Sequence, residues 1–256
     1  MTITQAIILG IVEGVTEFLP VSSTGHLILT SKLLGIGDSD FLKSFEIAIQ
    51  FGAILAVVFL YWKKFVSGKE HWQKVLTAFL PTAIVGFLFY QLLKDYLLSN
   101  SLLVVWSLLV GGIILIVFEI WHKKRVLPEN DTISYKTSWL IGMFQSLAII
   151  PGISRSGATI IGGLLMGINR KTIVEFSFLL AVPTMAAATR YDLLKSAGSF
   201  SFDQFYLLAI GFVVSFFIAW LSVKWLLHFI KNHTFIWFGV YRITIAILFY
   251  FLVILN

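Results

Sequence analysis

Glu13-Gly-Val-Thr-Glu17-Phe-Leu-Pro20-Val-Ser22-Ser23-Thr24-Gly25-His26 and, in the other half of the chain, Gln145-Ser-Leu-Ala-Ile-Ile-Pro151-Gly-Ile-Ser154-Arg155-Ser156-Gly157 decide the reading of this sequence. Each sets Pro, Gly, hydroxyls and ionisable groups inside an otherwise apolar segment. In hydrocarbon such groups are tolerated only where they are buried in protein or line a polar cavity. Two breaks of the same kind at corresponding places imply paired functional elements.

The surroundings are those of a membrane protein. A content of 58% hydrophobic and 12% charged residues, with 24 Phe and 8 Trp in 256 residues, leaves more apolar surface than a soluble core can hide. The net charge of +6 comes from residues lying between the apolar runs, where basic loops of membrane proteins belong, so nucleic acid is not an expected partner. The absence of Cys excludes disulfides and thiolate chemistry. The first apolar stretch has no basic leader or small-residue cleavage site and carries Glu13 and Glu17, so it is expected to remain in the membrane domain.

Six segments, roughly 44–62, 75–93, 102–121, 174–191, 205–228 and 235–255, are long and apolar enough to cross about 30 Å of hydrocarbon. The two broken regions, roughly 3–36 and 138–168, leave pieces of about 11 to 13 residues after Pro20 and Pro151, which reach only ~16 to 20 Å. Each broken region therefore reads as a hairpin that dips into the membrane and returns. The expected fold is an all-α integral membrane protein with six transmembrane helices plus two re-entrant helical hairpins.

A hairpin of that kind returns the chain to its own side, so each half makes three crossings and the halves insert with opposite orientation. The expectation is one membrane domain over residues 1–256, an inverted repeat with halves roughly 1–125 and 132–256. Gly10 aligns with Gly142, Glu13 with Gln145, Ser22 with Ser154, Gly25 with Gly157 and, after a short gap, Glu46 with Glu175. With the N-terminus outside, the inner loops hold Lys63, Lys64, Lys69, Lys74, Lys123, Lys124, Arg125, Lys136, Arg170, Lys171 and Lys231, and the outer loops only Lys32, Lys43, Lys94, Arg190 and Lys195. This asymmetry places both termini outside.

Glu13 and Glu17 are spaced i, i+4, so a helix sets both carboxylates on one face toward Pro20. Adjacent carboxylates repel unless a proton or cation intervenes, and Mg²⁺ or Ca²⁺ shared with phosphate oxygens is the common answer. After each break a helix opens with hydroxyl residues, so the backbone N–H groups around Ser22, Thr24 and Gly25, and around Ser154, Ser156 and Gly157, form anion cradles. Arg155 adds a planar, permanently charged fork suited to phosphate, although it could also serve as an ion-pair partner of Glu13, Glu17 or Glu46. His26 follows Ser23 by three residues, within reach of its hydroxyl. Ser23 as nucleophile, His26 as nucleophile and a water activated by His26 all remain open. Glu46, Gln50, Gln145 and Arg242 are candidates for the surrounding shell, with pairing of Arg242 to Glu119 or Glu175 as the purely structural alternative.

These residues carry a resemblance. The stretches 13–26, Phe45-Glu-Ile-Ala-Ile-Gln-Phe-Gly-Ala-Ile-Leu-Ala-Val57, Pro151-Gly-Ile-Ser-Arg-Ser-Gly-Ala-Thr-Ile160 and Phe176-Ser-Phe-Leu-Leu-Ala-Val-Pro183 resemble the undecaprenyl-diphosphate phosphatases of the bacitracin-resistance type. The resemblance runs along essentially the whole chain. It implies a membrane hydrolase of the bacterial inner membrane that converts C55 polyprenyl diphosphate to the monophosphate carrier for envelope synthesis, with bacitracin competing for the same lipid. It implies an outward-facing site with Glu13 and Glu17 as the metal-associated pair, Ser23 and His26 as nucleophile and partner, and Arg155 as the diphosphate clamp. A homo-oligomer is an open option. The rival function is a polyprenyl-phosphate flippase or transporter, since broken helices in an inverted repeat are also transporter architecture.

Overall fold

The computed structural model describes residues 1–92, 101–124, 130–196 and 202–254. Lys94, Arg125 and the side chains of Arg190 and Lys195, which enter the charge asymmetry above, lie outside that description. Among the described residues the chain is helical throughout, with no strand beyond a single bridge between Asn130 and Ile168.

Hydroxyl caps open most of the helices whose start is well defined. α1 (Ile3–Thr16) begins with a reciprocal box in which Thr2 accepts from the Gln5 N–H and the Gln5 side chain accepts from the Thr2 N–H. Ser22 caps α2 (Ser23–Leu33), Ser39 caps α3 (Asp40–Ser67), Ser134 caps α6 (Tyr135–Ser146) and Ser154 caps α7 (Arg155–Leu165). Between them lie α4 (Lys69–Leu92) and α5 (Ser101–Lys123). The chain closes with α8 (Arg170–Ser196), α9 (Phe202–Phe229) and α10 (Ile236–Phe249), which runs into a π turn at Tyr250–Ile254.

Among the described residues, four helices are long and apolar enough to cross a bilayer, over Asp40–Lys64, Lys69–Phe89, Ser101–Lys123 and Gln204–Phe229. The chain is thus a multi-pass, all-helical membrane protein. The other two expected spans also form helices but differ from that pattern. α8 has the length, at 27 residues, but carries Arg170, Lys171, Glu175 and Pro183 and packs inside the bundle, while the apolar helix at the end of the chain runs only over Ile236–Leu252. The broken regions are helical on both sides of the break, in pieces of 14 and 11 residues for α1 and α2 and of 12 and 11 for α6 and α7.

Helix neighbours fall into two sets. α9 lies along α1 and α3, α4 lies along α6 and α8, α1 packs on α2 and α6 on α7, while α3 meets α8 and α5 meets α10. Exchanging α1 with α6, α2 with α7, α3 with α8 and α4 with α9 carries α1–α9 onto α6–α4 and α3–α9 onto α8–α4. Apolar burial gives little drive between helices already in lipid, so close backbone approach has to hold these pairs. Gly10 on α1 and Gly142 on α6 provide it. A Cβ on Gly10 would lie 2.8 Å from the Gly211 carbonyl of α9, and one on Gly142 would lie 2.1 Å from the Ala78 carbonyl of α4. Where the halves meet, Phe18, in the first break, packs edge-on against Phe178 of α8 at 5.4 Å, both fully buried.

Candidate active site

Both breaks turn by the same device. Ser22 and Ser154 adopt positive φ, 71° and 78°, and their hydroxyls accept from the N–H groups of Gly25 and Gly157. The sharp turn starts each following helix at the break, with its first N–H groups outside the intrahelical ladder. The breaks also touch each other. Ser156 Oγ donates to the Leu19 carbonyl at 2.7 Å, and a Cβ on Gly157 would lie 3.6 Å from Pro20 Cβ. Ser154 and Ser156 are joined through their hydroxyls at 3.2 Å. The six residues expected to cradle an anion therefore lie in two facing turns, Thr24 half-buried and the others buried.

Glu17 is the hub. Its Oε2 accepts from Ser23 Oγ at 2.5 Å and its Oε1 from Arg155 Nη2 at 3.0 Å, so one carboxylate joins the hydroxyl of the first break to the guanidinium of the second. Arg155 also donates through Nη1 to the Ser177 carbonyl at 2.8 Å and lies 5.9 Å over the Phe18 ring. Its Nε is buried with no acceptor among the described residues, so the fork keeps one donor unused. Glu13, fully buried one turn before Glu17, receives no hydrogen bond at either oxygen from a donor among the described residues, and its carboxyl lies close enough to that of Glu17 to share a proton with it. A buried carboxylate without donors is costly, and a cation or a proton is what relieves it.

His26 departs from the expected contact with Ser23. Its Nδ1 lies 2.8 Å from the Ser22 carbonyl and its Nε2 lies 2.9 Å from Tyr241 Oη, while Ser23 turns to Glu17. The carbonyl that begins α2 captures the ring one turn below it. Arg242 also departs from the pairing considered for it. Glu119 takes both terminal nitrogens of Arg170 and the Phe235 N–H, and Glu175 pairs with Lys64. Phe235 stands seven residues before Arg242, roughly 10 Å along the helix, so Glu119 lies well away from the guanidinium. Arg242, 2% exposed, instead donates to five carbonyls: Pro20 in the first break, Gly152 and Ile153 in the second, and Ser107 and Leu108 on α5. Glu46 receives only a long contact, 3.4 Å, from Ser31, Gln50 is half-buried on α3, and Gln145 donates away from the breaks to Thr82 and Thr184.

Two participants escaped the sequence reading: the Ser177 carbonyl, which no side-chain pattern marks, and Tyr241, whose only signal is its place beside a cation inside an apolar span. Altogether the arrangement can bind an anion at two helix N-termini, offer it a guanidinium, and present a hydroxyl already hydrogen-bonded to a carboxylate.

The chain is similar along nearly its full length to proteins named undecaprenyl-diphosphatase. It is 54% identical over 250 residues to the one of Aquifex aeolicus (97% of this chain, 98% of that protein). It is 54% identical over 252 residues to that of Sulfurihydrogenibium sp. (98% and 99%) and 52% identical over 251 residues to that of Persephonella marina (97% and 98%). The bacitracin resistance protein BacA family matches residues 6–248, so the chain belongs to that family.

Proposed function

We propose that this protein is a membrane hydrolase that cleaves undecaprenyl diphosphate to undecaprenyl phosphate and inorganic phosphate, returning the lipid carrier to cell-envelope synthesis. The single observation that carries a catalytic reading of this site is the Ser23–Glu17–Arg155 chain across the two breaks. It joins a nucleophile, a proton acceptor and a phosphate-binding fork, which a passive pore has no use for.

The polyprenyl tail lies along the lipid-facing helices and the diphosphate enters between the two turns. There the N–H groups at Ser22, Thr24 and Gly25 and at Ser154, Ser156 and Gly157 hold its oxygens, and Arg155 turns its donors from Glu17 to the terminal phosphate. Ser23 Oγ attacks the terminal phosphorus in line. Its proton passes to Glu17 Oε2, a P–O bond forms, and the bond to the bridging oxygen breaks, releasing the monophosphate lipid. Water then attacks the phosphoserine, its proton passes to His26 Nε2, inorganic phosphate leaves as Ser23 regains a proton from Glu17, and His26 gives up its proton to the departing phosphate or to bulk water. Arg155 and the helix N-termini neutralise the charge that grows on the equatorial oxygens. Glu13 and Glu17 fit a divalent cation, Mg²⁺ or Ca²⁺, since Glu13 is buried with both oxygens free of donors. When bound, that ion supplies additional charge neutralisation at the phosphate oxygens.

The membrane arrangement belongs to the same reading. α1–α2 and α6–α7 are re-entrant hairpins within a six-span inverted repeat, supported by the helix exchange, by the matching Ser22 and Ser154 turns and by the short helices on either side of each break. Both termini and the site face outward, and bacitracin competes for the lipid substrate. The test is phosphate release from undecaprenyl diphosphate by purified protein in detergent, with and without EDTA. Release abolished by Ser23→Ala supports the reading. Transbilayer movement of the lipid without phosphate release would replace it with transport.

A further inference from the structure

Tyr241 sits on α10, 215 residues from His26 in sequence, yet its hydroxyl is 2.9 Å from His26 Nε2 and the two rings stack with centroids 5.5 Å apart and an angle of 5°. We infer that Tyr241 is a positioning residue for the reaction: its hydroxyl and ring fix His26 as the Nδ1–H tautomer and hold Nε2 against the phenol, so that a proton reaches the imidazole through Tyr241 Oη. The inference rests on the reading above in which His26 takes a proton from water.

The proton assignment follows from partner chemistry. The Ser22 carbonyl, 2.8 Å from Nδ1, can only accept, so Nδ1 carries the hydrogen. A neutral imidazole then has its lone pair on Nε2, and the tyrosine O–H donates to it. The ring is clamped at both nitrogens and buried, at 6% exposure, so it cannot rotate toward Ser23 without breaking two hydrogen bonds and the stack. Tyr241 itself is 41% exposed on the outer face of α10 while its hydroxyl turns inward to His26. That costs a membrane-facing residue a solvent-free hydroxyl unless a partner is found, and His26 is that partner. A phenol is donor and acceptor at once. The attacking water gives its proton to Oη as the phenol passes its own proton to Nε2, after which Oη accepts from the imidazolium and keeps it in place. Its neighbour Arg242 fixes α10 to both breaks through three carbonyls, so the helix that carries the tyrosine is held in register with the helix start that carries the histidine.

Tyr241→Phe keeps the stacked ring and removes only the hydroxyl. With undecaprenyl diphosphate in detergent, kcat is expected to fall about five- to tenfold, the equivalent of one lost neutral hydrogen bond, at unchanged KM. A second readout needs no turnover. In protein labelled with ¹⁵N-histidine, the His26 Nε2 resonance, assigned by its loss in His26→Asn, should move downfield in Tyr241→Phe as the lone pair loses its donor, while the Nδ1–H signal stays. A kcat within twofold of the parent, or an unmoved Nε2 resonance, overturns the inference. If His26→Asn turns over normally while the resonance still moves, the contact exists but the role of His26 in the reaction is wrong, and the positioning role falls with it. If the parent releases no phosphate at all, the proposed function fails, which the resonance arm separates from failure of the contact.

Discussion

Ser22 and Ser154 share one backbone state, φ 71° and 78°, and are the only non-glycine residues among the described ones to hold positive φ. A side chain there costs of order 1 kcal/mol or more, and strain of this kind gathers at working sites. Glycine would remove the strain, but it would also remove the oxygen that caps the next helix.

That trade gives the first prediction. Ser154→Gly should melt close to the parent, because a glycine cap costs only a few tenths of a kcal/mol and the strain is relieved. Ser154→Ala keeps the strain, loses the cap and should cost about 1 kcal/mol or more. Turnover should fall in both, since both lack the hydroxyl that faces the anion. Thermal unfolding in detergent, read beside phosphate release, checks the split, and an alanine variant as stable as the parent would remove the cap from the account.

Arg242 carries a second. Five backbone carbonyls converge on one guanidinium, whereas an ammonium has three donors, so Arg242→Lys leaves at least two buried carbonyls short at about 1 kcal/mol or more each. A melting temperature lowered by an amount equivalent to more than ~2 kcal/mol is expected, with turnover lost as the breaks loosen. Gly111→Ala provides an independent check that leaves Arg242 in place. Its Cβ would stand 2.0 Å from Arg242 Nη2, so it should reproduce the loss. A well-folded, active Gly111→Ala protein would refute the clasp.

The breaks were legible because charge, hydroxyls, Pro and Gly are crowded together within a few residues of an apolar run, a combination that lipid tolerates only where protein lines a polar space. That Arg155 needs a carboxylate was legible for the same reason, with Glu13, Glu17 and Glu46 all open, and the fold selects Glu17. What the sequence could not yield was the choice among partners. His26 lies three residues from Ser23, and spacing alone favoured that contact, yet a local carbonyl and a tyrosine on a distant helix satisfy the ring instead. The Arg242 cluster was hidden because backbone carbonyls look alike at every position, and only the tertiary fold brings those of two breaks and α5 to one point. The span at α8 was read from its apolar middle, and its charged first turn and its packing against α3, α4 and α7 show how far burial in protein can replace lipid-facing apolarity.

Metal dependence gives a third prediction. Glu13→Gln keeps the shape of a buried side chain and removes the charge that no donor compensates, so stability should hold or rise while turnover falls by about 10² or more. Mg²⁺ binding by calorimetry should weaken at least tenfold in Glu13→Gln and in Glu17→Gln, and EDTA should silence the parent enzyme. Undiminished Mg²⁺ affinity in the Glu13 variant would take the ion elsewhere.

Orientation gives a fourth. Asp38 and Lys69 are exposed and stand just beyond the two ends of α3, whose 28 residues are enough to cross the membrane. The chain has no Cys, so single replacements label cleanly. Cysteine at 38 should react with an impermeant reagent from outside and cysteine at 69 only from the cytoplasm. The reverse pattern would invert the topology and, with it, the outward-facing site.

Arg155→Lys is the fifth and the most discriminating. Arg155 spends one terminal nitrogen on Glu17 and one on the Ser177 carbonyl, with Nε idle, so in the resting protein it is at once an ion-pair partner and a fork with an unused donor. If its work is structural, a lysine that keeps the bond to Glu17 should preserve both stability and turnover, and Arg155→Ala should unfold by leaving Glu17 buried and unpaired. If its work is the phosphate, geometry decides: a guanidinium holds two oxygens of the terminal phosphoryl group at once, whereas an ammonium is a compact point charge that holds one well. An arginine on a transferring phosphoryl group is typically worth about 10³ to 10⁵ in rate, and lysine should recover only part of it. A lysine variant that melts like the parent but turns over at least about 10²-fold more slowly, while still binding substrate, assigns Arg155 to the transition state. A lysine variant with parental turnover returns it to the ion pair.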